Sequence, residues 1–492
     1  MVQSLGMKKQ AEEILSLLPS GIYADVRVVE KTGEHIATKD GVVEALEQSD
    51  TKGYGVRILK DGGWGFAASN DFSKKGHEET VKRAFEIAES TAKHTTVKTV
   101  LAPQEAQKGE YKTPIGEDPF AVSIDEKIKL LLAADKAQRV SPKINISQAH
   151  YSGHREKKVF ASTEGAMIDQ EIIWCGAGVE ATAIDGTELQ NRSYPNSHGG
   201  QFATLGFEMV RGMDLVGNAP RVGEEAVALL SADTCPTGEM DLILDGNQLG
   251  LQIHESAGHP TELDRALGYE ASYAGTSFMT PDTLGKMVYG SKIVNITHDA
   301  TLPGGLATFG WDDEGVAAQR VFLIKEGKFL DYLTSRETVE ELRRTNPDYK
   351  HGSNGTMRAS SWAKIPLIRM TNVNLEPGDA GSLEDLISDT KDGIFMSTNR
   401  SWSIDDKRLN FQFGTEIAWE IKNGKKGKIL KNPAYSGMTP KFWNSCDAIC
   451  SKSEWNIWGT PNCGKGQPSQ VMYTGHGASP ARFRKVDILG VK

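Results

Sequence analysis

The segment His254-Glu255-Ser256-Ala257-Gly258-His259 holds two imidazoles and a carboxylate within six residues. Imidazole is a common zinc ligand, and a neighbouring carboxylate can serve as general base on a metal-bound water. In helical zinc-peptidase motifs the two histidines stand at i and i+4 and share a face. Here they stand at i and i+5, about 140° apart on an ideal helix. The flanking residues suggest how the extra residue is absorbed. Pro260 disfavours helical dihedrals at His259, and Gly258 permits unusual ones. The last turn is expected to unwind, or to bulge as a π-turn, and so swing His259 back toward His254.

Two histidines are too few for a catalytic zinc ion (Zn2+), which takes three protein ligands and keeps a fourth position for water. Cys463, in Pro461-Asn462-Cys463-Gly464-Lys465, is the leading candidate for the third. A His2Cys set has the net charge of a His2Glu set and leaves zinc able to acidify its water. Glu255 is then the general base, and later the proton donor to the leaving amine.

Cys446 and Cys450 are alternatives. Either could be the third ligand or close the site as a fourth, and the pair could instead be redox-active. Packing beside Phe442, Trp443 and Trp455 is the plainer reading. Glu262 and Asp264 are candidates to orient a ligand imidazole, or to form an exposed acidic turn paired with Arg265. His476, between Gly475 and Gly477, is a candidate to meet substrate by stabilising an oxyanion, or a structural histidine. Arg369 and Arg358 are candidates to grip substrate backbone or carboxylate, or to be buried structural arginines.

These residues need a large scaffold, and the chain supplies one. Its 492 residues suggest two to four domains. Apolar residues make up 38% and charged residues 25%, ordinary values for a soluble globular protein. A core of this size needs no metal to hold it, so a metal site is free to be catalytic. The net charge of -9 argues against nucleic acid as a general partner. No apolar run of about 18 residues predicts a membrane span. Five cysteines do not read as a disulfide framework, and a cytoplasmic location follows as the expectation.

The pattern predicts an α+β fold in three regions. Residues 1–112 and 113–232 read as α+β layers, and 233–492 as a mostly β catalytic region carrying the metal-binding helix. Leu5, Ala11, Ile14, Leu15 and Leu18 fit one face of an N-terminal helix. Short strands punctuated at Gly33 and Gly41 are expected over 22–70, with a hairpin at Asp61-Gly62. Helices are expected near 78–93, 124–139 and 223–230, and a linker over 95–119. Residues 411–421 followed by Asn423-Gly424 predict a second hairpin.

In the last region the motifs resemble the TldD/PmbA metallopeptidase family, in its TldD-like catalytic branch. His254-Glu255-x-x-x-His259 is followed by the acidic pair Glu262 and Asp264, then by Asp312-Asp313-Glu314-Gly315. Pro366-Leu367-Ile368-Arg369-Met370-Thr371-Asn372 and Cys463-Gly464-Lys465 complete the order. The resemblance implies zinc ligands at His254, His259 and Cys463, with Glu255 catalytic. It implies cleavage of peptides or unfolded polypeptide segments. It also implies a homodimer, or a heterodimer with a metal-lacking PmbA/TldE-like paralogue. The rival reading is a non-catalytic, zinc-stabilised scaffold or binding subunit of such a complex.

Overall fold

The computed structural model describes residues 2–19 and 21–491, with side chains from residue 6 onward in the first helix. The fold is α+β. One eight-stranded sheet is built from β1 (Tyr23–Lys39), β2 (Val42–Lys60), β3 (Gly63–Ser69), β4 (Lys108–Lys112), β5 (Ile144–Ser162), β6 (Met167–Asp185), β7 (Glu188–Tyr194) and β8 (Gln201–Ala203). Its order is β3-β2-β1-β5-β6-β4, with β7 and β8 also paired to β6. The two N-terminal regions therefore share a single sheet but keep separate cores. Helices α1 (Val2–Leu15) and α2 (Lys74–His94) cover one part, where Met7, Ala11 and Ile14 meet Val26, Val56 and Ala84. Helices α3 (Ile124–Ala137) and α4 (Leu215–Ser231) cover the other, around Leu131, Tyr151 and Val222. The Leu5 side chain lies outside the described residues.

Several elements differ from expectation. Gly33 does not interrupt β1; it is paired on both sides, opposite Ser49 and His154. The expected linker over 95–119 contains β4, which runs parallel to β6. Helix α4 starts at Leu215 and runs through Pro220. Asp214 caps it by accepting the Gly217 N–H at 3.1 Å, so the helix is nucleated well before the proline costs it a bond. At both predicted hairpins the turn residues, Asp61-Gly62 and Asn423-Gly424, have positive φ, as a two-residue turn of right-handed twist requires.

The C-terminal region is organised by a closed barrel. Its strands are β9 (Gly238–Leu244), β10 (Asp392–Ile404), β11 (Asn410–Lys422) and β12 (Pro433–Met438), followed after an intervening hairpin, β13 (Asn456–Lys465) and β14 (Gln470–Ala478), by β15 (Ala481–Gly490). Pairing runs β10-β9-β15-β12-β11 and back to β10. Closure leaves these five strands no free edge. Directly after β9, helix α5 (Gly246–Ile253) is capped by Asp245, whose carboxylate accepts the Gly246 N–H at 2.6 Å. Ile253, Tyr435, Trp443 and Phe483 belong to the core that backs this helix. The hairpin β13–β14 lies across it and supplies the second half of the site.

Candidate metal centre

Helix α5 passes into a π-turn at His254–Gly258 and a single 3-10 turn at His259–Thr261. The His259 N–H bonds to the His254 carbonyl, five residues back. That bond absorbs the extra residue and returns both rings to one face, with centroids 4.8 Å apart and planes at 89°. The mechanism differs from expectation in detail. His259 keeps helical dihedrals (φ -58, ψ -43) despite Pro260. Gly258 is helical too, at φ -61, and is needed for space: a Cβ there would lie 2.0 Å from Met370 Sδ.

The π-turn is also secured from behind. Pro260 has no N–H to give the Ser256 carbonyl, four residues earlier. Tyr289 supplies the missing donor, its hydroxyl donating to that carbonyl at 3.0 Å. The Trp443 indole N–H donates to the Ser256 hydroxyl at 2.9 Å.

Each imidazole is held by its Nδ1. His259 Nδ1–H donates to Glu262 at 2.8 Å. His476 Nδ1–H donates to the Val373 carbonyl at 3.0 Å, which leaves His476 Nε2 as an acceptor. His254 Nδ1 lies 2.8 Å from that Nε2 and therefore carries the proton of this bond. Both ligand candidates are thus left with an unprotonated Nε2. Burial pushes the proton affinity of His254, His259 and His476 down, which keeps all three neutral.

Cys463 completes the group from β13. His254, His259 and Cys463 offer ligand atoms that all lie within 4.8 Å of one another. The Cys463 Sγ to His259 Nε2 distance is 3.7 Å. Two ligands on one tetrahedral zinc ion would be about 3.5 Å apart, from the usual Zn–S and Zn–N lengths. The chemistry of the donor set fits as well. Burial raises the Cys463 thiol, but the Arg369 guanidinium and His259 outweigh it and hold it below the ordinary thiol value. Cys175, Cys235 and Cys450, by contrast, are each pushed up to about 12 by burial, and Cys446 higher still. Cys446 packs with Phe442 and Trp443 in the barrel core, and Cys450 in a separate cluster with Ile243 and Phe395.

The remaining sequence candidates lie around this group. Glu262 and Asp264 are buried, so the exposed-turn alternative does not hold. Lys465, two residues after Cys463, binds Glu262 at 3.1 Å, Asp264 at 2.8 Å and Glu270 at 3.0 Å. His476 is fully buried behind His254, with its ring nitrogens engaged as described. Arg369 donates to the Cys463 carbonyl at 2.7 Å. Arg358 lies farther out, donating to the Met370 and Tyr473 carbonyls at 3.0 and 2.8 Å. Sequence reasoning gave no role to Lys465 or Glu270, and it missed a further neighbour. Arg408, at the tip between β10 and β11, pairs with the Glu255 carboxylate. A lone arginine in Asp-Asp-Lys-Arg gives no signal of this.

Models of the three PmbA/TldA metallopeptidase domains match the chain in order: domain 1 at residues 24–90, the central domain at 117–232 and the C-terminal domain at 237–490. The chain belongs to the PmbA/TldD family. A metalloprotease of Methanocaldococcus jannaschii is 32% identical over 95% of this chain and 97% of its own length. A Saccharolobus solfataricus protein named a zinc metalloprotease and TldD homolog is 24% identical over 90% of each. TldE from Thermococcus kodakarensis has the same fold, with a TM-score of 0.69 at 14% identity over 98% of this chain and 100% of that one.

The family motifs have separate places in the structure. The segment from Pro366 to Asn372 is a back-plate between helix and hairpin: Met370 packs on Gly258, and the Thr371 carbonyl accepts the Gly475 N–H at 3.2 Å. Asp312 to Gly315 lie away from the metal group, where Asp313 and Glu314 meet Lys158 and Arg57 of the first sheet.

Proposed function

We propose that this chain is a zinc metallopeptidase that hydrolyses peptides or unfolded protein segments. The observation that carries this reading is the convergence of His254, His259 and Cys463 with a carboxylate, Glu255, on the same turn of helix. Zinc held by these three would supply the Lewis acidity that makes a water nucleophilic near neutral pH. Glu255 accepts that water's proton and later delivers it to the leaving amine. His476 fixes the tautomer of His254, and Glu262 that of His259. Lys465 and Arg369 are positioning residues, the first holding Glu262 and the second the Cys463 backbone.

The scaffold reading would need a fourth protein ligand. Among the described residues the metal-competent group holds three, and Cys446 and Cys450 pack elsewhere. Three ligands favour a site that keeps a place for water. The names of the curated relatives support a metalloprotease, and the Saccharolobus name supports zinc. The enzyme acts as a dimer, with a second copy or with a PmbA/TldE-like chain; the likeness to TldE supports the latter.

The deciding experiment pairs metal analysis with peptide hydrolysis. Glu255→Gln should keep one zinc per chain and lose roughly 10³-fold in kcat. Normal turnover with zinc bound would remove Glu255 from its role. Cys463→Ser should lose zinc and activity together; stoichiometric zinc with full activity would refute the ligand assignment.

A further inference from the structure

Among the described residues, Arg408 is the one permanent charge that pairs with Glu255. Its backbone has a positive φ of 65, uncommon for a residue with a side chain. The turn that imposes this conformation is pinned on three sides. Asp405 accepts the Leu409 N–H at 2.8 Å and the Asn410 N–H at 3.1 Å. Arg265 donates to the Asp406 carbonyl at 3.0 Å, and Phe278 N–H to the Lys407 carbonyl at 2.9 Å. The Thr439 hydroxyl donates to the Arg408 carbonyl itself at 3.0 Å. The guanidinium is therefore aimed by the fold. Its buried Nε–H has no hydrogen-bond partner among the described residues. Its charge also reaches both ligand imidazoles, lowering the proton affinity of His254 and His259.

We infer that Arg408 is a further catalytic residue, donating to the carbonyl oxygen of the scissile peptide as that oxygen becomes an anion. The inference rests on the peptidase reading above. In the attack step the water oxygen bonds to the carbonyl carbon. One water proton passes to Glu255, and the C=O π pair moves to the carbonyl oxygen. Negative charge thus leaves Glu255 and arises on the substrate. A fixed guanidinium beside Glu255 is paired before the step and can pair with the oxyanion after it, so little has to reorganise. On collapse the oxygen pair re-forms C=O, the C–N bond breaks, and the amine nitrogen takes the proton from Glu255. Glu255 is again an anion and re-forms its pair with Arg408.

The test uses the zinc-loaded full-length chain, or its complex if a partner is required, with Arg408→Met and Arg408→Lys. Peptide turnover is measured alongside zinc content and the affinity of a phosphinic pseudopeptide, which mimics the tetrahedral anion. Arg408→Met should keep its zinc, lose roughly 10²–10³-fold in kcat with little change in KM, and bind the phosphinic compound about 10²-fold more weakly. Arg408→Lys should recover part of both losses. Unchanged phosphinic affinity, or unchanged kcat, in Arg408→Met would overturn the inference while leaving the peptidase reading intact. Loss of zinc from both variants would also overturn it, because Arg408 would then serve only to hold the site together. If the wild-type protein cleaves no peptide, the peptidase reading falls and this inference with it.

Discussion

Two buried charge clusters in this molecule have opposite electrostatic designs. At the seam between the first sheet and the C-terminal region, cations and anions match. Asp313 meets Lys158 at 2.7 Å and Arg27 at 3.6 Å, Arg57 meets Asp25 at 2.7 Å and Glu314 at 3.4 Å, and Glu156 meets Lys31 at 2.7 Å and Lys158 at 3.3 Å. Behind the metal group, a single ammonium, Lys465, faces Glu262, Asp264 and Glu270, and Arg265 reaches only Glu270, at 3.7 Å. One carboxylate from each cluster shows the difference. Burial and the neighbouring carboxylates lift Asp264 to about 6 against the pull of Lys465, whereas Lys158 and Arg27 hold Asp313 below its ordinary value despite burial. Asp312 and Glu314, deeper in the seam, are raised by burial, and Glu314 adds to the shift of Asp312. The balanced cluster docks one part of the molecule on another. The unbalanced one suits a neighbour that gains a divalent cation.

The largest effect should come from removing the lone ammonium. Lys465→Met leaves Glu262 and Asp264 without their ammonium and Glu270 with Arg265 alone, at 3.7 Å, and should cost about 3–5 kcal/mol in urea unfolding. Through Glu262 and His259 it should also weaken zinc roughly 10–100-fold in a chelator competition. Unchanged zinc affinity would separate the cluster from the metal. Lys158→Met at the seam should cost less, about 1–3 kcal/mol, since Arg27 remains near Asp313. It should leave zinc affinity alone, and a change there would erase the distinction between the clusters.

A smaller effect concerns pH. The folded chain binds a proton at Asp264 more tightly than the unfolded chain, whose Asp titrates near 3.9. This group's contribution to stability is therefore lost as pH rises from about 4 to about 6. Asp264→Asn removes that slope. Relative to wild type, it should gain roughly 1–3 kcal/mol across the window in paired unfolding curves. A constant difference at every pH would contradict the raised value. The smallest effect is expected on the surface: Lys82→Ala breaks the exposed pair with Glu86 and should shift stability by no more than about 0.5 kcal/mol.

The parts of the site that sequence made legible are those where residue type alone implies chemistry. His254, Glu255, His259 and Cys463 announce themselves as donors, and the i, i+5 spacing demands a distortion of the helix. The cause of that distortion was less legible. Gly258 was expected to bend the backbone, but it serves instead to admit Met370, a contact across more than a hundred residues. The neighbours that act by charge were hidden for the same reason. Arg408 reaches Glu255 only because β10 and β11 fold back on the helix. In the scaffold, turn chemistry at Asp61-Gly62 and Asn423-Gly424 was readable locally. The single sheet shared by the first two regions was not, because pairing of β1 with β5 joins residues far apart in sequence.

The π-turn sets an order in time. Its extra residue, Ser256, is held by Tyr289 and Trp443, and both belong to the core packed around the barrel. The register of the two histidines is thus braced by packed hydrocarbon and hydrogen bonds. On the proposed reading, uptake of metal would be the last event in the molecule's maturation, a capture by finished architecture. The chain stripped of zinc should keep its fold and its melting cooperativity, and regain the metal without passing through an unfolded state.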